Sequence, residues 1–199
     1  GALGSMLFIS YALILFPAGI LGDVFGPRAI ITLGALLSAA MNVLFSYSNS
    51  LTSMLIIQFV NGLGQGMAWG PLTRLMANWY PRERMGFVMS LLSLPPALGP
   101  PAAYVLTGYL ASFYNWKTAF QVPSIILIGT SLLFALLAKD DPSGLSRSRS
   151  WSRDTFLDLL RRREIWLVGV TYLALSGAIR GLLVWLPTFL VERTAMTLM

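Results

Sequence analysis

Arg180 stands inside an otherwise apolar stretch, 165–190, with Ser176, Gly177 and Ala178 before it and Gly181 after it. A guanidinium in such surroundings calls for a carboxylate partner, water, or an anion gripped by its planar fork. Asn61 and Gln65 lie four residues apart in the apolar stretch 51–76, followed by Trp69. On a helix Asn61 and Gln65 share a face, where carboxamides hydrogen-bond a neighbouring helix or line a cavity. Asp23, Gly26 and Arg28 fall in a short polar turn between two further apolar runs. A carboxylate there can cap a helix N-terminus or pair across to another element, which makes the turn a candidate gate. The chemistry on offer is recognition of a small polar or anionic solute. Bond-making chemistry is poorly supplied, because the chain has no His and no Cys. That predicts no metal site, no cofactor and no catalytic residue. The eight acids, Asp23, Glu83, Asp140, Asp141, Asp154, Asp158, Glu164 and Glu192, all fall in loops or at the ends of apolar runs. No buried carboxylate pair is available for acid–base work.

The elements that position these residues follow from composition. The chain has 199 residues, 56% hydrophobic and only 11% charged, with mean hydropathy +0.70. A soluble domain carries about 25% charge, so the solvent here is a bilayer. A hydrocarbon core of about 30 Å needs roughly 20 apolar residues per helical crossing. Six stretches qualify, 7–21, 30–47, 51–76, 87–113, 119–138 and 165–190. They predict an all-α, polytopic membrane helix bundle with about six transmembrane helices. The first run is short and the chain opens on Gly1, which suggests a start lost upstream, and no cleavable signal is visible.

Charge orients the bundle. Arg28, Arg74, Arg82, Arg84, Lys139, Arg147, Arg149, Arg153, Arg161, Arg162 and Arg163 group on one side, against Lys117 and Arg193 on the other. The positive-inside bias makes the Arg28 side cytoplasmic and both ends of the chain external. The net charge of +6 therefore reflects topology, with no nucleic-acid partner implied. Residues 139–164 form the one linker, Pro/Gly/Ser-rich at first. Phe156, Leu157, Leu159 and Leu160 then suggest an amphipathic helix on the inner surface. The expected organisation is five spans in 1–138, the cytoplasmic linker 139–164, and one span in 165–199.

Within the spans, Gly62, Gly64, Gly66 and Gly70 have the small-residue spacing that admits a close helix neighbour. Trp69 is either a packing anchor beside a Pro71 kink or a cavity-lining ring. Arg74 lies near enough to the inner end to snorkel or to bridge a loop acid. Pro95, Pro96, Gly99 and Pro100, with Pro101, predict a bent or locally unwound helix, either a static kink or a hinge. Arg180 has three readings: an anion site, a structural pair, or snorkelling toward the outer interface. At that depth a guanidinium costs roughly 2.5–3.5 kcal/mol unless paired or wet, and no acid in this sequence lies level with it.

Several motifs resemble the major facilitator superfamily of transporters. The run Gly19, Leu21, Asp23, Gly26, Arg28 is similar to the G-x-L-x-D-x-x-G-x-R loop between its second and third spans, although Val24 and Pro27 stand where the family usually carries basic residues. Trp116, Lys117, Ala119 and Phe120 match the W-[RK]-x-A-F opening of a sixth span, and Trp185 to Leu190 resemble the end of a seventh. The piece GQGMAWGP, then Arg74 and NWYPRER, resembles the fourth span and following loop of the organophosphate:phosphate antiporters, and related anion:cation symporters look similar. The resemblance implies an incomplete major facilitator fold, spans two to seven, in the plasma (inner) membrane. It implies a secondary transporter of a small organic anion working by alternating access between two halves. The antiporters' substrate-binding Arg of this span falls one residue earlier, at Ile179, and their fifth-span His is absent, with Pro96 near its place. Two other readings stay open. One is a proton-coupled exporter of uncharged or cationic compounds. The other is a non-transporting membrane receptor or scaffold, which has no need of Asn61, Gln65 and Arg180 around one central space. The partners expected are the lipid bilayer and a small-molecule substrate, with the coupling ion unassigned.

Overall fold

The computed structural model describes residues 1–141, 161–172, 174, 175 and 178. The chain divides into two units, Gly1–Ser150 and Trp151–Met199. In the second, residues 163–172 are helical. Arg180 and the amphipathic segment around Phe156 lie outside the described residues.

Among its described residues the first unit has seven helices: α1 (Ala2–Phe25), α2 (Pro27–Tyr47), α3 (Leu51–Gly66), α4 (Trp69–Trp79), α5 (Met85–Leu92), α6 (Leu94–Phe113) and α7 (Thr118–Leu137). A single 3-10 turn, Arg82–Arg84, precedes α5. No strand occurs among the described residues. Helices α1, α2 and α7 are long and apolar enough to cross a membrane. With 24 residues, α1 extends roughly 36 Å. It begins five residues before the expected span.

Two expected spans are each made of two pieces, for an identifiable reason. The run 51–76 breaks between α3 and α4, where the N–H groups of Met67 and Ala68 reach back only three residues, to Gly64 O (3.3 Å) and Gln65 O (3.4 Å). Pro71 has no N–H to give the Met67 carbonyl, so the α-helical ladder is interrupted there. The run 87–113 breaks at Ser93, whose N–H bonds both Met89 O and Ser90 O at 3.1 Å. Pro95 and Pro96 cannot supply the carbonyls of Leu91 and Leu92, and they occupy the first turn of α6 instead, where proline is tolerated. Pro100 and Pro101 remain inside α6. The discontinuity therefore precedes the Pro/Gly cluster.

Glycines decide how closely these helices approach. On α3, Gly62 and Gly66 face α1: a Cβ at Gly62 would strike Ser10 Oγ and Leu7 O, and one at Gly66 would sit 2.8 Å from Tyr11 O. Gly64 faces the other way, where its Cβ would lie 2.8 Å from Gly34 O and 2.9 Å from Ser38 N on α2. The small-residue spacing thus serves two neighbours. Helix α7 packs on α2, and α6 rests on α7. Away from the Arg28 end, Phe45 stacks on Phe120 at 4.8 Å, and Gln121 Nε2 donates to Ser46 Oγ at 3.1 Å.

Candidate functional site

Two polar assemblies stand out in the first unit. At the Arg28 end, the Asp23 carboxylate at the close of α1 forms an ion pair with Arg74 of α4. Both are partly exposed, 35% and 24% by side chain, so the attraction is screened and adds modestly to stability. The pair lines a cavity of about 740 Å³ shared with Asn78, Tyr80, Arg82 and Asp140.

Beside it, Gly26 turns the chain between α1 and α2 at φ +88°, a conformation glycine adopts without the steric cost of a side chain. A glycine N-cap offers no side-chain acceptor to the first amides of α2, and Pro27 opens that helix. The acceptor comes from elsewhere: Asp140 Oδ1 receives the Arg28 N–H at 2.6 Å. The space exists because Gly26 lacks a Cβ, which would fall 2.8 Å from Asp140 Oδ2. Two bonds from α4 hold the same loop, Asn78 Nδ2 to Asp140 O at 2.9 Å and Trp79 Nε1 to Lys139 O at 2.8 Å. Sequence reasoning missed Asp140. The available signal was a helix start, Gly-Pro-Arg, without a local cap, and an acid directly after the last apolar helix.

Midway along the bundle, a ladder of polar side chains crosses from α2 to α3. Asn61 is 2% exposed. Its Oδ1 accepts from Ser38 Oγ at 2.7 Å and from Gln65 Nε2 at 3.4 Å, and its Nδ2 donates to Asn42 Oδ1 at 3.2 Å and Gln58 Oε1 at 3.0 Å. Gln65 and Trp69 are exposed in this unit, Trp69 by 41%. The structure therefore brings Asp23, Gly26 and Arg28 together at one end, and Asn61 and Gln65 together in the ladder. Pro95, Pro96, Gly99 and Pro100 sit apart, exposed along α6. Among the described residues no group of acids could hold a metal ion.

Apolar helices packed through glycines, carrying polar side chains between them, define an integral membrane helix bundle. A family model of the Major Facilitator Superfamily matches residues 1–199, and the chain belongs to that superfamily. It is 30% identical to the Probable hexose phosphate transport protein of Chlamydia pneumoniae, over 77% of this chain and 34% of that protein. It is 30% identical to the Glycerol-3-phosphate transporter of Bacillus subtilis, over 92% of this chain and 47% of the relative. It is 25% identical to the Membrane sensor protein UhpC of Salmonella typhimurium, over 82% of this chain and 37% of the relative. The chain thus spans between about a third and a half of the length of these relatives. The resemblance to the organophosphate:phosphate antiporter branch read from GQGMAWGP agrees with these relatives.

Proposed function

We propose that the chain forms part of a secondary transporter in the plasma membrane that carries a small, phosphorylated or carboxylated organic anion by alternating access. The observation that carries this reading is its 30% identity to two proteins named as phosphate-ester transporters, across 77% and 92% of the chain. On this reading residues 1–138 supply spans of one half, 139–164 the cytoplasmic linker, and 165–199 the first span of the second half. Arg180 binds the anion, a role suited to a guanidinium at membrane depth with no acid level with it in the sequence. Gln65 and Trp69 border the substrate path, with Asn61 behind them. Asp23, Gly26 and Arg28 form an inner gate, and Pro95, Pro96, Gly99 and Pro100 a hinge in α6.

The test is uptake by the complete protein in proteoliposomes loaded with inorganic phosphate, offered labelled glycerol 3-phosphate, glucose 6-phosphate and a panel of carboxylates. Uptake of at least one anion, competed by its unlabelled form, is expected. Uptake of none overturns the reading.

A second reading rests on the likeness to a membrane sensor protein. On this reading the chain would bind the proposed anion without moving it. Saturable binding of an anion by the complete protein, with no uptake in the same vesicles, would favour it.

A further inference from the structure

We infer that Asn61 is a positioning residue that holds the Gln65 carboxamide in place, so that recognition at Gln65 is set by a residue the substrate never touches. The inference rests on the proposed placement of Gln65 beside the substrate path.

Asn61 has no capacity left for a ligand. A carboxamide offers two acceptor sites and two N–H groups. Ser38 Oγ and Gln65 Nε2 fill the first two, and Asn42 Oδ1 and Gln58 Oε1 take the others. With 2% of its surface exposed, Asn61 is also out of reach of solute. Its orientation is tied to theirs, since each partner is a carboxamide or a hydroxyl. Turned over alone, its Nδ2 would face the Gln65 Nε2 donor, and its oxygen would face the acceptor oxygens of Asn42 and Gln58. Both arrangements are repulsive and leave buried polar atoms unsatisfied.

Gln65, one helical turn further, is exposed. The terminal torsion of a glutamine is broad and nearly two-fold, so an unconstrained carboxamide exchanges its donor and acceptor ends readily. The bond to Asn61 Oδ1 restricts that exchange by favouring the orientation with Nε2 pointing back into the ladder. Oε1 and the second N–H have no partner among the described residues, and they are held in place beside the ladder. So held, the carboxamide offers an acceptor and a donor, which is what a substrate hydroxyl needs, since it both donates and accepts. The ligand class it selects is an anion bearing hydroxyl groups, in preference to one of equal charge without them. At 3.4 Å the bond is a long one, so the expected effect is that of a single weak neutral hydrogen bond.

The experiment is a double-mutant cycle on uptake by the complete protein, with glycerol 3-phosphate and glucose 6-phosphate as probes and propyl phosphate as a hydroxyl-free competitor. Asn61→Ala is expected to raise KM for the hydroxylated anion about fivefold, with maximal rate changed less than twofold and inhibition by propyl phosphate unaltered. In a Gln65→Ala background the same substitution should add less than twofold. Ser38→Ala, which removes one of the bonds holding Asn61, provides a milder arm of the cycle, about twofold and again absent without Gln65. It carries the test if Asn61→Ala fails to reach the membrane. Effects that add independently of Gln65, or that weaken propyl phosphate equally, make the ladder structural and overturn the inference while the substrate path stands. If Gln65→Ala leaves both probes unaffected, the placement of Gln65 on the path falls, and the inference with it.

Discussion

The Arg28 N–H donates to Asp140 Oδ1 at 2.6 Å across 112 residues of sequence. A helix start that is poor in its own resources is thereby completed by the residues that follow α7. The same loop is held by Asn78 and Trp79 of α4. Helices α1, α2, α4 and α7 thus converge on one small assembly of side chains and carbonyls. The loop after α7 is thereby tied by hydrogen bonds to α4 and to the start of α2, next to the Gly26 turn.

Removing this cap should be measurable. Asp140→Ala is expected to lower the stability of the protein by about 1 kcal/mol, the ordinary cost of losing a side-chain N-cap, and Asp140→Asn by less because an acceptor remains. Gly26→Ala should cost about 1–3 kcal/mol, since alanine is strained at φ +88° and its Cβ meets the Asp140 carboxylate. Thermal unfolding in detergent orders the three variants. An Asp140→Ala protein that melts with the wild type would show that the bond adds nothing.

For the Asp23–Arg74 pair, stability and transport should separate. The pair is partly exposed, so Asp23→Asn is expected to reduce stability by less than about 1 kcal/mol. If Asp23 gates as proposed, Asp23→Asn should nevertheless slow exchange at least tenfold at normal surface expression. The charge-swapped protein, Asp23→Arg with Arg74→Asp, restores the ion pair but reverses its field at the cavity. Recovery of stability without recovery of transport is the expected pattern. Full transport in Asp23→Asn removes the gate.

Close helix approach makes a sharper prediction, because the helical glycines differ in what surrounds them. Gly62→Ala and Gly66→Ala place a Cβ on α1 and should destabilise by about 1–3 kcal/mol through overpacking. Gly108→Ala and Gly129→Ala, with nothing within 4 Å of the new Cβ, should be neutral or stabilise their helices by up to about 1 kcal/mol. Melting temperatures that do not distinguish the two pairs would contradict the packing of α1 on α3.

Much of this architecture was legible from hydropathy, since α1, α2 and α7 follow directly from long apolar runs. Two breaks were not placed, although their causes were visible. From the sequence Pro71 reads as a kink, and the Pro/Gly cluster as the bend itself. The interruptions fall on the residues N-terminal to each proline, because the missing N–H frees a carbonyl four residues earlier. At the site, the shared face of Asn61 and Gln65 was readable from their spacing. That Asn61 is saturated was not, because Ser38, Asn42 and Gln58 are ordinary polar residues until α2 and α3 are packed. Asp140 escaped for the same reason, as its partner is 112 positions away.

Topology can be tested with few reagents, since the chain contains no cysteine and single-cysteine reporters are unambiguous. The charge distribution predicts that Ser50→Cys is labelled from outside intact cells, while Ser148→Cys is labelled only after permeabilisation. The reverse pattern would invert the bundle and move the Asp23–Arg74 assembly to the external face.

Arg180 carries the prediction on which substrate chemistry turns. A guanidinium about fifteen residues into an apolar run is tolerated when it is paired, wet or holding an anion, and the sequence places no acid level with it. Arg180→Lys keeps the charge and loses the planar two-pronged donor set. If the residue grips an anion bidentately, uptake should fall at least tenfold in Arg180→Lys and be lost in Arg180→Ala, with both proteins reaching the membrane. If Arg180 merely extends to the outer interface, lysine does the same through its own flexible stem, and Arg180→Lys should transport like the wild type. Uptake of one labelled anion by the three proteins side by side separates the two. Equal rates in all three would assign Arg180 to structure and bring the proton-coupled exporter reading forward.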